Sequence, residues 1–409
     1  MTAIVADSSK HPLKVLIGVD TFPPNVNGAA IFSARLAAGL IGRGHDVRVE
    51  APAASRKHGY FMENHEGATF PVWRVYSWRW YPHDWLRFVL PWRSQAHAAR
   101  ILDEFQPDVV HIQSHIVVGR GLTRQAQLRG IRVVATNHFM PENLMEHTLL
   151  PKFLQRTAAR IAWNDAAKTY RLAAAVTSPS RKAADFLEAE TDVTDVHAIS
   201  CGLDASLYTA SFEKRTENRI VFVGRVTAEK HIDVLLRAVT KLDPALDVKL
   251  DIVGGGDLMK ELTAMTKQLG IEDRVTFIGY VSDEELRATL TESSVFVMPS
   301  VAELQSIATM EAMASGLPIV AANAMALPHL VHDGENGFLF EPGNADDLAE
   351  KLTRVLTLPE ADVAKMKKSS LRYIEAHDIQ RTLTIFEALY RGESVTDPVT
   401  DAKLDEQHS

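Results

Sequence analysis

The sequence predicts an α/β protein made of two parallel-sheet domains. Three observations carry this. Short apolar runs of strand length alternate with helical stretches along most of the 409 residues. The runs end on polar or glycine-rich turns that lead into helices, as after Asp20 and Gly224. The whole pattern restarts near residue 215, after a stretch at 205–218 that reads as a linker.

Taken in order, residues 1–12 are polar and are expected to be a disordered lead-in. Residues 14–20 form an apolar strand that runs into the turn-rich loop 22–28 and then an amphipathic helix through Leu40. Gly42-Arg-Gly-His-Asp46 turns the chain into a strand at 47–50. Further strands are expected at 109–112, 133–136, 176–178 and 196–199. The second domain opens with a strand at 219–224 and continues with strands at 249–253, 275–278, 295–298 and 318–321. The expected domains are therefore 1–205 and 215–390, with a polar, acidic tail at 393–409.

Composition bounds the function. Apolar residues at 46% and charged residues at 23% are ordinary for a soluble globular chain. The single cysteine, Cys201, excludes an internal disulfide framework and a thiolate metal cluster, and fits a reducing cytosol. No apolar stretch reaches membrane-spanning length, and no signal-peptide pattern opens the chain, so a cytoplasmic location is expected. Residues 1–200 hold 23 Lys+Arg against 18 Asp+Glu, while the remainder holds 21 against 34. That balance argues against nucleic acid as a partner, although the mildly basic first half could meet anionic lipid headgroups.

The most informative segment is Glu303-Leu-Gln-Ser-Ile-Ala-Thr-Met-Glu311, which follows the apolar run 295–298. A strand ending at Pro299 with a helix beginning just beyond Glu303 would make a strand-to-helix crossing, where ligands bind in parallel α/β sheets. Glu311 then lies about two helical turns on, so both carboxylates can serve one elongated ligand, with helix-end amides free for a diphosphate. Gly316 is expected to stop that helix. Two solvated helix charges would be the ordinary alternative for isolated glutamates.

This segment resembles the Glu-x7-Glu motif of the retaining glycosyltransferases of family four. The resemblance extends from about Lys14 to about Tyr390. It implies the GT-B architecture, two Rossmann-like domains facing across a cleft, with a terminal helix at about 370–390 crossing back onto the first domain. It also implies that Glu303 contacts the donor sugar and Glu311 the ribose hydroxyls. Gly224-Arg225-Val-Thr-Ala-Glu229-Lys230 is similar to the family's Gly-Arg…Glu-Lys motif, which gives Arg225 and Lys230 the leaving diphosphate. A guanidinium fork beside an ammonium point charge suits that task.

Other matches are weaker. Asn27-Gly28 resembles the loop that brings glycine amides to the diphosphate from the first domain, though Asn-Gly is also a common turn pair. Gly254-Gly-Gly256 resembles the family's Gly-x-Gly turn, and a tight strand-to-helix turn would serve equally well. Tyr280 and Val281 resemble the loop that reads the donor base, without choosing uracil or guanine. Leu304-Gln305-Ser306 stand where many members have Phe-Gly, and Gln305 resembles some lipid-glycosylating members. Ala324-Met-Ala326-Leu-Pro328-His329 replaces the usual Gly-Gly-x-Pro-Glu, which leaves the sugar open between glucose and mannose types.

The family's first-domain histidine falls on Gln113 in one placement and on His115 in another. His138 follows the next strand and reaches a strand's carboxyl end on geometry alone. His138 and His115 are taken to line the acceptor side. No Asp-x-Asp occurs, and no histidine pair stands at ligand spacing, so no metal and no cofactor are expected.

Trp73, Trp78, Trp80, Trp85 and Trp92 crowd into one segment, interleaved with Arg74, Arg79, Arg87 and Arg93. Indole rings at headgroup depth with guanidinium groups toward phosphate describe a membrane-interface surface, and Trp78, Arg79, Trp80 and Trp85 are its candidates. A buried aromatic cluster or a sugar-stacking wall are the competing readings. The expected partners are a nucleoside diphosphate sugar carrying UDP or GDP, and a lipid acceptor or anionic membrane surface at the cytoplasmic face. A soluble sugar or polyol acceptor, or a non-catalytic sugar-nucleotide-binding role, are the alternatives.

Overall fold

The computed structural model describes residues 11–25, 27–79, 87–140, 152–213, 215 and 217–395. Trp80 and Trp85 lie outside the described residues, as do the lead-in to residue 10 and the tail from 396. Chain contacts divide the protein into two units, Met1–Gly202 with Ile379–Ser409, and Leu203–Asp378.

The first unit is an eight-stranded sheet with helices between its strands. In chain order these are β1 (Lys14–Gly18), α1 (Gly28–Gly42), β2 (Asp46–Pro52), β3 (Gly59–His65), β4 (Ala68–Val75), β5 (Trp78–Arg79), β6 (Arg87–Phe88) and α2 (Pro91–Phe105). Next come β7 (Val109–Ile112), α3 (Val118–Leu128), β8 (Arg132–Thr136), α4 (Lys152–Tyr170), β9 (Ala175–Ser178), α5 (Arg181–Glu190) and β10 (His197–Ala198). The sheet order is β10-β9-β8-β7-β1-β2-β4-β3, with β5 and β6 pairing separately. All pairs in the large sheet are parallel except β3 with β4.

That hairpin is missing from the sequence reading. Its turn is Glu66-Gly67, with φ of 51° and 77°, the pair of left-handed residues that a tight hairpin needs. It also corrects the reading of Trp73. Placed in β4, Trp73 is 1% exposed and packs edge-on against Phe105, inside the core rather than at an interface.

The second unit holds β11 (Asn218–Val223), α6 (Ile232–Lys241), β12 (Val248–Val253), α7 (Met259–Leu269), β13 (Val275–Gly279), α8 (Asp283–Glu292) and β14 (Val295–Met298). It continues with α9 (Ile307–Ala314), β15 (Ile319–Ala322), β16 (Gly337–Phe340), α10 (Ala345–Leu356) and α11 (Glu360–Ile374). Its six-stranded sheet runs β13-β12-β11-β14-β15-β16, parallel throughout. β16 was not expected from the sequence. Strands β14 and β15 are buried along their whole length, which is why they read as unbroken apolar runs rather than alternating ones.

The chain then returns to the first unit as α12 (Ile379–Arg391). Charge and close packing hold it there. Arg43 and His45 both reach the Glu387 carboxylate, at 2.9 and 2.8 Å. Arg132 donates to the Leu389 carbonyl at 2.8 Å. Gly39 lets α1 approach, since a Cβ there would lie 2.7 Å from Leu383 Cδ1. Among the described residues no helix is long and apolar enough to cross a membrane.

Candidate functional site

The carboxyl ends of β11, β12 and β13 interlock through their backbones. Gly224 N–H donates to the Val253 carbonyl at 3.0 Å, Gly254 N–H to Gly279 at 2.8 Å, and Val226 N–H to Gly255 at 3.0 Å. This packing demands glycine at two positions. A Cβ on Gly254 would stand 2.0 Å from the Gly224 oxygen, at a φ of 122°. A Cβ on Gly256 would stand 2.4 Å from the Val226 oxygen. Tyr280 lies over Gly255, donates to its carbonyl at 3.3 Å, and is otherwise exposed, with Val281 half-buried beside it.

On the neighbouring strands the charged residues meet. Arg225 donates to Glu229 Oε1 at 2.9 Å, and Thr227 Oγ1 donates to the same oxygen at 2.8 Å. Burial opposes ionisation of Glu229, but the Arg225 charge and the Thr227 hydrogen bond outweigh it and hold the carboxyl below its usual range. The Glu229 carbonyl accepts from Ser300 Oγ at 3.1 Å and from Val301 N–H at 3.2 Å. These bonds fasten the turn after β11 to the loop after β14. They bring Lys230 Nζ onto Glu303 Oε1.

Helix α9 begins at Ile307, later than expected. Ser306 caps it, accepting from Thr309 N–H at 3.3 Å, while the Thr309 hydroxyl donates to Ser306 Oγ at 2.8 Å. Glu303 is therefore a loop residue, and only Glu311 is helical. The two carboxylates do not share one helix face. Both are nonetheless largely buried, at 7% and 6% exposure. Glu311 Oε1 accepts from the Tyr208 hydroxyl at 3.0 Å, a contact that no local sequence signal reveals. Gln305 is half-buried between them in sequence.

In the first unit, Asn27 caps α1, accepting from Ala30 N–H at 2.9 Å, and Gly28 is the first helical residue. The loop ahead of it is clamped by Arg74, which is therefore no interface arginine. Arg74 donates to the Pro23 carbonyl at 2.6 Å, to Pro52 at 3.2 Å, and to both oxygens of Glu63 at 2.8 and 2.6 Å.

The histidines separate. His138 follows β8, is half-buried, and brings Nε2 to within 2.9 Å of Gln113 Oε1. Burial pushes its pKa down to about 4. His115 turns away into the core at 4% exposure, with Nδ1 3.2 Å from the Tyr170 hydroxyl. Burial and, secondarily, the Arg120 charge lower its pKa to about 4 as well. Tyr170 in turn donates to Asn137 Oδ1 at 2.9 Å, the residue beside His138. Both imidazoles are neutral at neutral pH.

Of the interface candidates, Trp78 is 46% exposed and edge-on to Tyr76, with Arg79 exposed beside it. Trp92 is exposed too, and Arg93 lies over the Tyr76 ring at 5.3 Å. Among the described residues no group of three His, Cys, Asp or Glu side chains is arranged to hold a metal ion.

Residues 26–207 match the model of Glycosyltransferase Family 4, and residues 208–372 that of glycosyl transferases group 1. A glycosyltransferase of Methanocaldococcus jannaschii is 37% identical over 141 residues, 34% of this chain, and the match spans only 36% of that protein. An MMP α-(1→4)-mannosyltransferase of Mycolicibacterium hassiacum is 31% identical over 280 residues, 66% of this chain and 68% of its own. In fold, the chain is similar to Anabaena HepE solved with UDP and glucose, at a TM-score of 0.71 and 20% identity over 92% of this chain and 99% of that one.

Proposed function

Since the chain belongs to glycosyltransferase family 4 and has the GT-B fold, we propose that it moves a hexosyl group from a nucleoside diphosphate sugar to a lipid hydroxyl at a membrane surface, with retention at the anomeric carbon. The observation that carries this reading is the pairing of Lys230 with Glu303 at the carboxyl edge of the second sheet. A largely buried cation and carboxylate, held by the Glu229 carbonyl, are pre-set for a ligand that needs both a positive and an accepting group.

In this reading Glu303 accepts hydrogen bonds from the donor sugar's hydroxyls, and Glu311, held by Tyr208, accepts from the ribose. Lys230 and Arg225 carry the charge that develops on the diphosphate, so no metal is required. Gly224, Gly254 and Gly256 let the turns after β11 and β12 interlock closely enough to form the floor of the site, and Tyr280 and Val281 face the base. Gln305 and Ser306 lie next to the sugar. Within the first unit, Asn27 and Gly28 present the start of α1, whose free amides suit an anion. His138 meets the acceptor, backed by His115 through Tyr170 and Asn137. The acceptor oxygen bonds to the anomeric carbon as the carbon–phosphate oxygen bond breaks, and the acceptor's proton passes to the departing phosphate oxygen. Both steps occur on one face, which retains configuration.

The mannosyl transfer in the name of the Mycolicibacterium relative and the UDP and glucose bound by HepE support a mannose or glucose donor. Exposed Trp78 and Arg79 support a lipid acceptor. The test is transfer from GDP-mannose and UDP-glucose to diacylglycerol or phosphatidylinositol in vesicles, against a soluble polyol, with products identified by mass and anomeric configuration. Product on lipid, abolished by Glu303→Ala, supports the proposal. Product on the polyol alone overturns the lipid acceptor. Unchanged sedimentation of Trp78→Ala/Arg79→Ala with anionic vesicles removes the interface reading.

A further inference from the structure

Beneath His138 runs a buried polar chain. His111, on β7, is wholly buried, with Nδ1 2.7 Å from the Tyr390 hydroxyl and Nε2 2.7 Å from Thr136 Oγ1. Tyr390 is supplied by α12, whose Phe386 also packs on the His111 ring at 4.9 Å. Gln113, two residues on, lies between the two histidines. Its amide nitrogen is 3.2 and 3.4 Å from the ring nitrogens of His111, and its oxygen is 2.9 Å from His138 Nε2.

An amide oxygen can only accept. With the Gln113 oxygen on His138 Nε2, that nitrogen must carry the proton. A neutral imidazole holds a single N–H, so the other nitrogen, Nδ1, is left with its lone pair. Nδ1 has no hydrogen-bond partner among the described residues, and the ring, packed on Phe32 at 5.1 Å, is only half-buried.

We propose that Gln113 is a positioning residue that fixes His138 as the Nε2–H tautomer, so that Nδ1 accepts a hydrogen bond from the acceptor substrate's attacking hydroxyl. This rests on the reading that His138 faces the acceptor. The bond holds the hydroxyl with an oxygen lone pair toward the anomeric carbon; as the carbon–oxygen bond forms, the hydroxyl's one proton leaves Nδ1 for the departing phosphate oxygen, and the imidazole stays neutral. The titratable groups facing this network are His111 on β7 and Tyr390 on α12. Burial lowers His111 to about 3, with the neighbouring His138 adding to the effect, and raises Tyr390 well above its ordinary value. All three therefore stay neutral across the working range, and the tautomer is set by hydrogen bonding rather than by charge.

The test reads the tautomer directly. In the full chain labelled at histidine nitrogen, long-range nitrogen–proton spectra at neutral pH should show His138 protonated on Nε2 and bare on Nδ1, assigned by loss of the signals in His138→Gln. In Gln113→Glu the carboxylate should raise the His138 titration by at least about one pH unit, through an opposite charge at hydrogen-bond distance. An Nδ1–H tautomer in the parent, or an unmoved titration in Gln113→Glu, overturns the proposal. A kinetic arm separates it from the functional reading. His138→Asn keeps an acceptor atom near the place of Nδ1, whereas His138→Gln places one near Nε2. His138→Gln should raise the acceptor KM about tenfold, as expected for one lost hydrogen bond of roughly 1.4 kcal/mol, with the donor KM unchanged and His138→Asn closer to the parent. If the tautomer is as stated and acceptor KM is unmoved in both, Gln113 orients His138 but the acceptor contact is wrong.

Discussion

Lys230 Nζ pairs with Glu303 Oε1 across 73 positions of sequence, and the bond exists because the Glu229 carbonyl grips Ser300 and Val301. Cation and carboxylate are thus held by backbone and not by side-chain chance. Replacing Lys230 with Ala should lower turnover by about 100-fold or more, as removal of a charge-stabilising donor does. Glu303→Gln should do the same while leaving nucleotide affinity closer to the parent. Steady-state kinetics with separate determination of kcat and KM check both. A loss under about threefold in either variant would mean that the pair is structural.

The Tyr208 hydroxyl bond to Glu311 fixes the second carboxylate. Tyr208→Phe keeps the ring and removes only that donor. The loss of one hydrogen bond to a charged group, ~1.5 kcal/mol or more net, should weaken nucleotide binding about tenfold or more. Titration calorimetry with the bare nucleotide reads this without any acceptor.

Gly254 admits no side chain, because the Gly224 oxygen fills the space and φ is 122°. Gly254→Ala should destabilise the second unit by roughly 2 kcal/mol or more, from strain and displaced backbone. Urea unfolding followed by a probe in that unit should show it. Gly270→Ala, also at positive φ but facing open space, is the control and should cost less.

Glu50 is a fully buried carboxyl, with His97 Nδ1 at 3.3 Å. Burial raises its pKa, more than His97 lowers it. The folded pKa therefore lies above the unfolded one. Its contribution to stability is fully present below the unfolded value and is lost as pH rises through the folded value. Glu50→Gln should stabilise the protein at pH 7, because it removes a carboxyl whose ionisation the fold opposes. The gain should shrink toward pH 4. Equal unfolding midpoints at pH 7 would contradict this.

Much of this was legible in the sequence, for physical reasons that differ by element. Strands β14 and β15 are buried on both faces, so their apolar runs stood out. Gly254 and Gly256 were singled out as turn glycines, and the structure adds the backbone oxygens that exclude a Cβ. The start of α9 was not legible, because its eight residues are apolar nearly all round and Ser306 caps it through a bond visible only in space. Arg74 and Trp73 were misgrouped with their exposed neighbours, since the hairpin that turns them inward is set by two residues, Glu66 and Gly67. The Gln113–His138 contact crosses from one strand's end to the next, and no spacing rule in the sequence marks it.

A nucleoside diphosphate sugar site built around Lys230 and Glu303 should bind its nucleotide without the sugar or the acceptor. Calorimetric titration with UDP and GDP, each with and without EDTA, on the parent and on Lys230→Ala tests it most directly. One nucleotide should bind with micromolar affinity, unaffected by EDTA and weakened about tenfold by the substitution, equivalent to roughly 1.4 kcal/mol. Binding of neither nucleotide, or equal binding by Lys230→Ala, would contradict it.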